Sequence, residues 1–337
     1  MTGGDDSAVG ELLLPPDLSP EAVRPLPGAR TVHLAGETMG TVWSLAVAIP
    51  PAIAESAIRA TLEHGFARVI AQMSQWEPDS EISRFNRAAP ATQVPLSAEF
   101  AHVLDCALTI ARASEGAFDP ALGAASELWG FGAGPAPARV PEAGPRGGPG
   151  WRDLALDPTG RVALQPGGLR LDLSGIAKGF AVDHGIRQLE GMGIRHALLD
   201  IGGELRGAGV RADGLPWWVD AEIPPGSTAP LARIGLTGWA IATSGNYRRR
   251  REAEGHSWSH SLDPASGAPL GDDVLAATAL HRGCMQADAL ATAILVLGPE
   301  RGLAFADRYG VPARIVTREA TVASRAWQAW AREPGAG

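Results

Sequence analysis

Between residues 41 and 73 the apolar pattern changes period once, and sharply. Trp43, Leu45, Val47 and Ile49 alternate with smaller residues, the period of two that turns one face of a strand toward a core. Pro50-Pro51 stops that run, and Ile58, Leu62, Phe66, Val69, Ile70 and Met73 then recur at helical spacing, an amphipathic helix of about five turns. The switching continues along the chain. Ser97 reads as the N-cap of a second helix through Phe100, Val103, Leu104, Ala107 and Ile110 to Gly116. Short strands are expected over 154–156 and 169–173, a helix from about Ile176 to Leu189, and a buried strand in HALLDIGG from His196. Strands over 217–223, 240–243 and 276–280, helices over 287–297 and 302–309, and a strand over 313–316 complete the pattern before a Trp327/Trp330 tail. Helices and strands that interleave with no fixed repeat describe a mixed α+β fold rather than a solenoid or a doubly wound sheet.

No boundary divides the 337 residues into autonomous halves, so one large domain over 31–330 is expected. Residues 1–30, rich in proline and acidic residues without periodicity, read as a flexible N-terminal arm, and 133–150 as a Pro/Gly-rich surface loop. The balance of 29 basic against 37 acidic residues, net −8, argues against broad phosphate neutralisation and hence against a nucleic-acid partner. Cys106 and Cys284 form neither a CxxC motif nor a disulfide framework. No apolar run of ~18 residues is read, so no membrane span is expected. Asp5, Asp6 and Glu11 stand where a leader would carry positive charge, and as written the chain is expected to be cytoplasmic.

Several segments carry chemistry. Asp288 and Thr292, four apart in a helical pattern, project from one face and suit a hard cation such as Mg²⁺; the same pattern also describes polar residues facing solvent. DLSGIAKG, Asp172 to Gly179, sets an acid, a hydroxyl, a glycine and Lys178 at a strand-to-helix junction, where free N–H groups and the helix dipole favour phosphate, or where a simple helix cap stands. His260, in SHSLDPASG, is a candidate general base or substrate contact, or a structural histidine. GNYRRRR, Gly245 to Arg251, is a turn and a basic run that either docks an acidic partner or a phosphate or is solvated. Trp76, in MSQWEPDSEISRFN, offers a stacking surface, Gly40 in MGT permits close backbone approach, and GAFDP sets Phe118 beside Asp119.

In this order MGT, MSQWEPDSEISRFN, GAFDP with LWGFG, DLSGIAKG, DIGGEL, ATSGNY, SHSLDPASG and ADALATA resemble the FAD:protein FMN transferase (ApbE) family, from about Met39 to Gly298. The resemblance implies a flavin-transferase fold and Mg²⁺-dependent transfer of the FMN half of FAD, the substrate, to a threonine or serine hydroxyl of an acceptor carrying an FMN-binding domain, with release of AMP. It implies metal ligands Asp288, Thr292 and the carbonyl of Gly175, and FAD contacts at Met39, Trp76, Ala117, Phe118, Asp119, Asp172, Lys178 and Leu262. His260 would orient or deprotonate the acceptor hydroxyl, with Asp263 orienting His260. Trp76 stands where the family often has tyrosine, Asn246 where aspartate is frequent, and 133–150 where the family is often helical. The same site would also serve FAD hydrolysis to FMN and AMP, or FAD binding without turnover.

Overall fold

A computed structural model describes residues 9–18, 23–50, 52–145 and 148–332. In chain order the strands and helices are β1 (Val9–Leu13), β2 (Arg30–Thr38), β3 (Thr41–Ile49), α1 (Glu55–Met73), α2 (Glu81–Arg87), β4 (Thr92–Pro95), α3 (Ala98–Ala113), α4 (Gly123–Leu128), β5 (Ala155–Asp157), β6 (Val162–Gln165) and α5 (Ala177–Gly191). There follow β7 (Ala197–Ile201), β8 (Glu204–Ala208), β9 (Trp217–Asp220), β10 (Leu231–Leu236), β11 (Trp239–Gly245), β12 (Arg250–Ala253), β13 (His256–Ser259), β14 (Leu262–Asp263) and β15 (Ala268–Pro269). The chain ends through β16 (Val274–His281), α6 (Cys284–Tyr309), β17 (Ala313–Thr317), β18 (Thr321–Ala323), α7 (Arg325–Trp330) and β19 (Ala331–Arg332).

The centre is an eight-stranded sheet in the order β18-β17-β16-β11-β8-β7-β3-β2, antiparallel throughout. Both faces are covered, which is why its strands are apolar on both sides. Trp43, Leu45, Val47, Leu199, Ile201, Ala240, Ala242, Ala277 and Ala279 face the helical layer of α1, α3, α5 and α6. Alternate residues Ala46, Leu198, Ile241 and Leu280 meet a second sheet, β19-β1-β10-β9, around Trp217, Ile234, Trp327 and Trp330. The alanines of β11 and β16 let α6 lie close, through its own Ala287, Ala289, Ala291 and Ala293, all buried.

Three expectations are corrected. Within the segment read as an arm, Val9–Leu13 forms a strand between β10 and β19, and Leu13 is fully buried, because the short run Leu12-Leu13-Leu14 has a sheet to complete; residues 1–8 and 19–22 lie outside the described residues. The segment 169–173 is no strand, although Leu169, Leu171 and Leu173 are buried as its alternation required. The Asn86 side chain stands in for a neighbouring strand, donating to the Leu171 carbonyl at 3.0 Å and accepting its N–H at 2.8 Å. The strand that does form here is β6, between β4 and β5. Finally, α6 is by length and composition apolar enough to cross a membrane, but half of its most apolar window is packed inside the fold and Gly298-Pro299 kinks it.

Candidate active site

Five segments converge beyond one end of the sheet. The first is the β2–β3 hairpin tip, a two-residue turn in which Met39 and Gly40 both take positive φ (50° and 69°), as a tight hairpin twisted like its strands requires. The second is the Gly202-Gly203 turn joining β7 to β8, so close to Thr41 that a Cβ on Gly202 would lie 2.8 Å from its side chain. The others are the loop 172–176 leading into α5, the first turns of α6, and the hairpin β12–β13 with the residues after it.

The loop before α5 is built by its own side chains. Asp172 accepts the Ser174 N–H at 2.8 Å, Gln75 reaches Ser174 from the turn that carries Trp76, and Trp76 itself stays 49 % exposed. Gly175 faces α6: a Cβ there would stand 3.1 Å from Thr292 Oγ1 and 3.4 Å from the Phe118 ring. Gly179 faces α6 more tightly still, since a Cβ would run into the Cys284 carbonyl and lie 2.9 Å from Asp288 Cβ. Its N–H donates to Asp288 Oδ2 at 3.0 Å. Asp183, one turn on, accepts the N–H groups of Cys284 and Met285 at 2.9 and 3.0 Å and pairs with Arg206, so α5 caps and registers α6. Asp288, Thr292 and Gly175 are thereby brought together, with Ser244 of β11 3.0 Å from Thr292 Oγ1.

The charges here are unusually buried. Lys178 pairs with Glu204, which is 4 % exposed, while Asp288 is 3 % exposed. Burial pushes Glu204 up to about 7, opposed by Lys178 and reinforced by Asp288. Burial likewise raises Asp288, with Lys178 and the Gly179 N–H opposing. Burial works against the Lys178 ammonium, yet Glu204 and Asp288 outweigh it and hold its pKa above the ordinary lysine value. Two buried carboxylates thus share one ammonium, a local excess of negative charge that suits a divalent cation. The donor set fits Mg²⁺: one carboxylate, one hydroxyl and one carbonyl, all hard oxygens of the kind that ion takes. Among the described residues no cluster of three or more His, Cys, Asp or Glu competes as a metal site.

His260 follows β13. Burial, with the nearby positive charge of Arg249, pulls it down to about 4, so its ring is neutral at pH 7; Lys178 acts in the same direction and Asp172 against it. Its Nδ1 is buried without a hydrogen-bond partner among the described residues, and its ring stands edge-on to Phe131, 6.1 Å between centroids. Asp263 does not orient it. The Asp263 carboxylate is spent on its own turn, accepting the Ala265 N–H at 3.0 Å and the Ser266 hydroxyl at 2.9 Å. Leu262 is buried against Trp129 and Trp258 rather than open to a ligand. That aromatic cluster also holds the expected surface loop: Val140 packs on it, and Gly144 abuts the backbone of Ser266 and Gly267 so closely that no Cβ would fit.

Ala117 and Asp119 line a cleft of about 490 Å³ with Trp151, Arg152, Asp263, Val296, Leu297 and Arg301. Burial raises Asp119 to about 6, against the pull of the Ala121 N–H and Arg152. Phe118, buried, turns away from this cleft toward Gly175.

The profile described as the ApbE family matches residues 39–315, most of the chain and every segment just described. The chain belongs to the ApbE family. It is 35% identical over 296 residues to the FAD:protein FMN transferase of Vibrio cholerae, covering 86% of this chain and 88% of that one, and 33% identical to that of Haemophilus influenzae, covering 86% and 87%. Among solved structures, the flavin transferase ApbE from Vibrio cholerae superposes with a TM-score of 0.80 at 32% identity, covering 90% of this chain and 99% of that one. The Pseudomonas stutzeri flavinyl transferase ApbE, apo form, gives 0.79 at 31%, covering 90% and 97%. Three site residues of this ApbE chain had no role assigned from sequence: Glu204, Ser244 and Asp183. The first two lie in DIGGEL and ATSGNY, whose acid and hydroxyl were the available signals; Asp183 sits in a helical run with nothing to mark it.

Proposed function

We propose that this chain is an FAD:protein FMN transferase that moves the FMN portion of FAD onto a threonine or serine hydroxyl of an acceptor with an FMN-binding domain, releasing AMP. The observation that carries the reading is the meeting of Asp288, Thr292 and Gly175 with Lys178 at the start of α5, opposite a neutral His260. Asp288, Thr292 and the Gly175 carbonyl would hold Mg²⁺, which supplies charge neutralisation at the pyrophosphate. Lys178, kept protonated by Glu204, adds a positive charge where α5 presents its N-terminus to phosphate.

The acceptor oxygen forms a bond to the phosphorus of the FMN half as the anhydride P–O bond breaks, and AMP leaves with the bridging oxygen and its electron pair. The uncharged His260 accepts a hydrogen bond from the acceptor hydroxyl, orients it and takes its proton, which then passes to solvent. Met39, Trp76, Ala117, Asp119 and Asp172 would surround the dinucleotide, with Phe118 packed behind Gly175, Trp76 offering an exposed indole face and Asp119 a hydrogen bond from the cleft wall. Replacing Asp288 with Asn tests the reading: transfer, followed as FMN mass on an acceptor domain, falls at least 100-fold on the scale of a lost catalytic ligand, about 2.7 kcal/mol. Full transfer by that variant would overturn the metal assignment.

A further inference from the structure

The basic run Arg248 to Arg251 is not one feature. Arg248 is tied to Glu222 and donates to the Gly202 carbonyl at 2.9 Å. Arg250 is held by Asp272 at 2.8 Å, by Ser257 and by the Asn246 carbonyl. Arg251 donates to the Gly130 carbonyl at 3.0 Å and lies over the Phe131 ring. Of the four, only the side chain of Arg249, which is exposed, makes no hydrogen bond or ion pair among the described residues.

Its direction follows from strand geometry. Arg250 pairs with Ser259 across the β12–β13 hairpin, and the next step outward is the His260 N–H donating to the Arg249 carbonyl at 3.0 Å. Residues directly opposite on an antiparallel pair put their side chains on the same face, about 5 Å apart at Cβ. Arg249 therefore shares the face of His260, and Arg251, two residues on, shares it too, which is why His260 and Arg251 both meet Phe131. Arg250 points the other way, to Asp272.

We propose that Arg249 is a phosphate-contacting residue of this site, its guanidinium meeting the pyrophosphate of the dinucleotide between His260 and Lys178. The proposal rests on the reading of the site as one that binds FAD. Lys178 already has its counter-charge in Glu204, and His260 is neutral, so the uncompensated positive charge on this side is that of Arg249. It is felt at both neighbours, whose protonated forms it disfavours. A cation left unpaired beside another cation marks where an anion belongs, and the planar fork of arginine matches phosphate oxygens in a way that a lysine point charge does not.

The experiment measures the affinity of the full chain with Mg²⁺ for FAD, ADP and riboflavin, before and after Arg249→Ala and Arg249→Lys, alongside the KM for an acceptor domain. The expected result is about ten-fold weaker binding of FAD and ADP to Arg249→Ala, the low end for a charge-assisted hydrogen bond because the residue is exposed, with riboflavin unchanged and Arg249→Lys only partly restored. Unchanged FAD and ADP binding with a raised KM for the acceptor would overturn the proposal and move Arg249 to acceptor docking. Equal weakening of all three ligands would overturn it as well, since no phosphate is then being read. A wild-type chain that binds no FAD would instead refute the functional reading on which the proposal stands.

Discussion

Gly179 is where the packing of α5 on α6 and the placement of Asp288 become one problem. A methyl at this position falls on the Cys284 carbonyl and 2.9 Å from Asp288 Cβ, both short and fixed, so neither can swing aside as a long side chain would. Gly179→Ala must push the helices apart. Overpacking costs about 1–3 kcal/mol in general, and against two fixed neighbours the upper part of that range applies, about 2–3 kcal/mol; the better helix propensity of alanine returns about 1 kcal/mol, leaving a net loss of about 1–2 kcal/mol. For a chain of 337 residues, with an unfolding entropy of about 0.7 kcal/mol/K, that lowers Tm by about 1–3 °C. The control is Gly191→Ala at the other end of the same helix, where a Cβ meets nothing within 4 Å and the same substitution should leave Tm unchanged or slightly raised. Thermal unfolding of both variants decides the stability claim, and titration with Mg²⁺ followed through FAD binding decides the positional one. A Gly179→Ala protein as stable as wild type, with Mg²⁺ affinity intact, would refute the argument that this glycine sets the helix spacing at Asp288.

Further tests address the charges. His260, held down at about 4 in the fold against an ordinary 6.5, binds no proton between those values while the unfolded chain does, so its contribution to stability is full above about pH 6.5 and is lost as pH falls toward 4. Denaturant unfolding should therefore show about 2 kcal/mol more loss between pH 7 and pH 5 in wild type than in His260→Gln; equal losses would contradict a neutral buried ring. Glu204→Ala strips the partner from Lys178, which at 28 % exposure can turn partly to water; a destabilisation of about 2 kcal/mol in urea is expected, together with a raised KM for FAD, and a silent variant would contradict the pairing. Asp263→Ala removes two hydrogen bonds from the DPASG turn, and about 1 kcal/mol of stability with them, but should leave the NMR titration of His260 where it was; a shifted titration would restore Asp263 as its orienting group.

Much of this fold is written locally. The period change at Pro50-Pro51 separates β3 from α1, and Ser97 caps α3 by accepting the Phe100 N–H at 3.3 Å, because both signals act within a few residues. What is not legible depends on partners far away in sequence. The alternation of Leu169, Leu171 and Leu173 reports burial truthfully, but whether a buried segment becomes a strand depends on what lies beside it, and here that is the amide of Asn86, 85 residues earlier, on one side and a single bridge to Leu122 on the other. Val9–Leu13 likewise becomes a strand only because β10 and β19 flank it.

The site divides along the same line. Asp288 and Thr292 one turn apart on α6 follow from helical spacing, and Lys178 at the start of α5 from the junction motif. The buried counter-charge of Glu204, the capping of α6 by Asp183 and the closeness of Gly179 to Asp288 arise only when β8, α5 and α6 are packed. Asp263 shows the reverse case: an acid three residues from His260 suggests a catalytic pair, whereas the turn it sits in consumes both of its oxygens. The run of arginines looks uniform in sequence, and only the alternation of the β12–β13 hairpin sorts Arg249 from its neighbours.

The most direct test of the whole account is mass spectrometry of candidate FMN-binding acceptor domains mixed with the purified chain, FAD and Mg²⁺, following acceptor mass and AMP together. The account predicts that one FMN is gained on a threonine or serine of the acceptor for each AMP released, and that EDTA abolishes both. AMP released with no modified acceptor, or FAD bound with neither product, would contradict it.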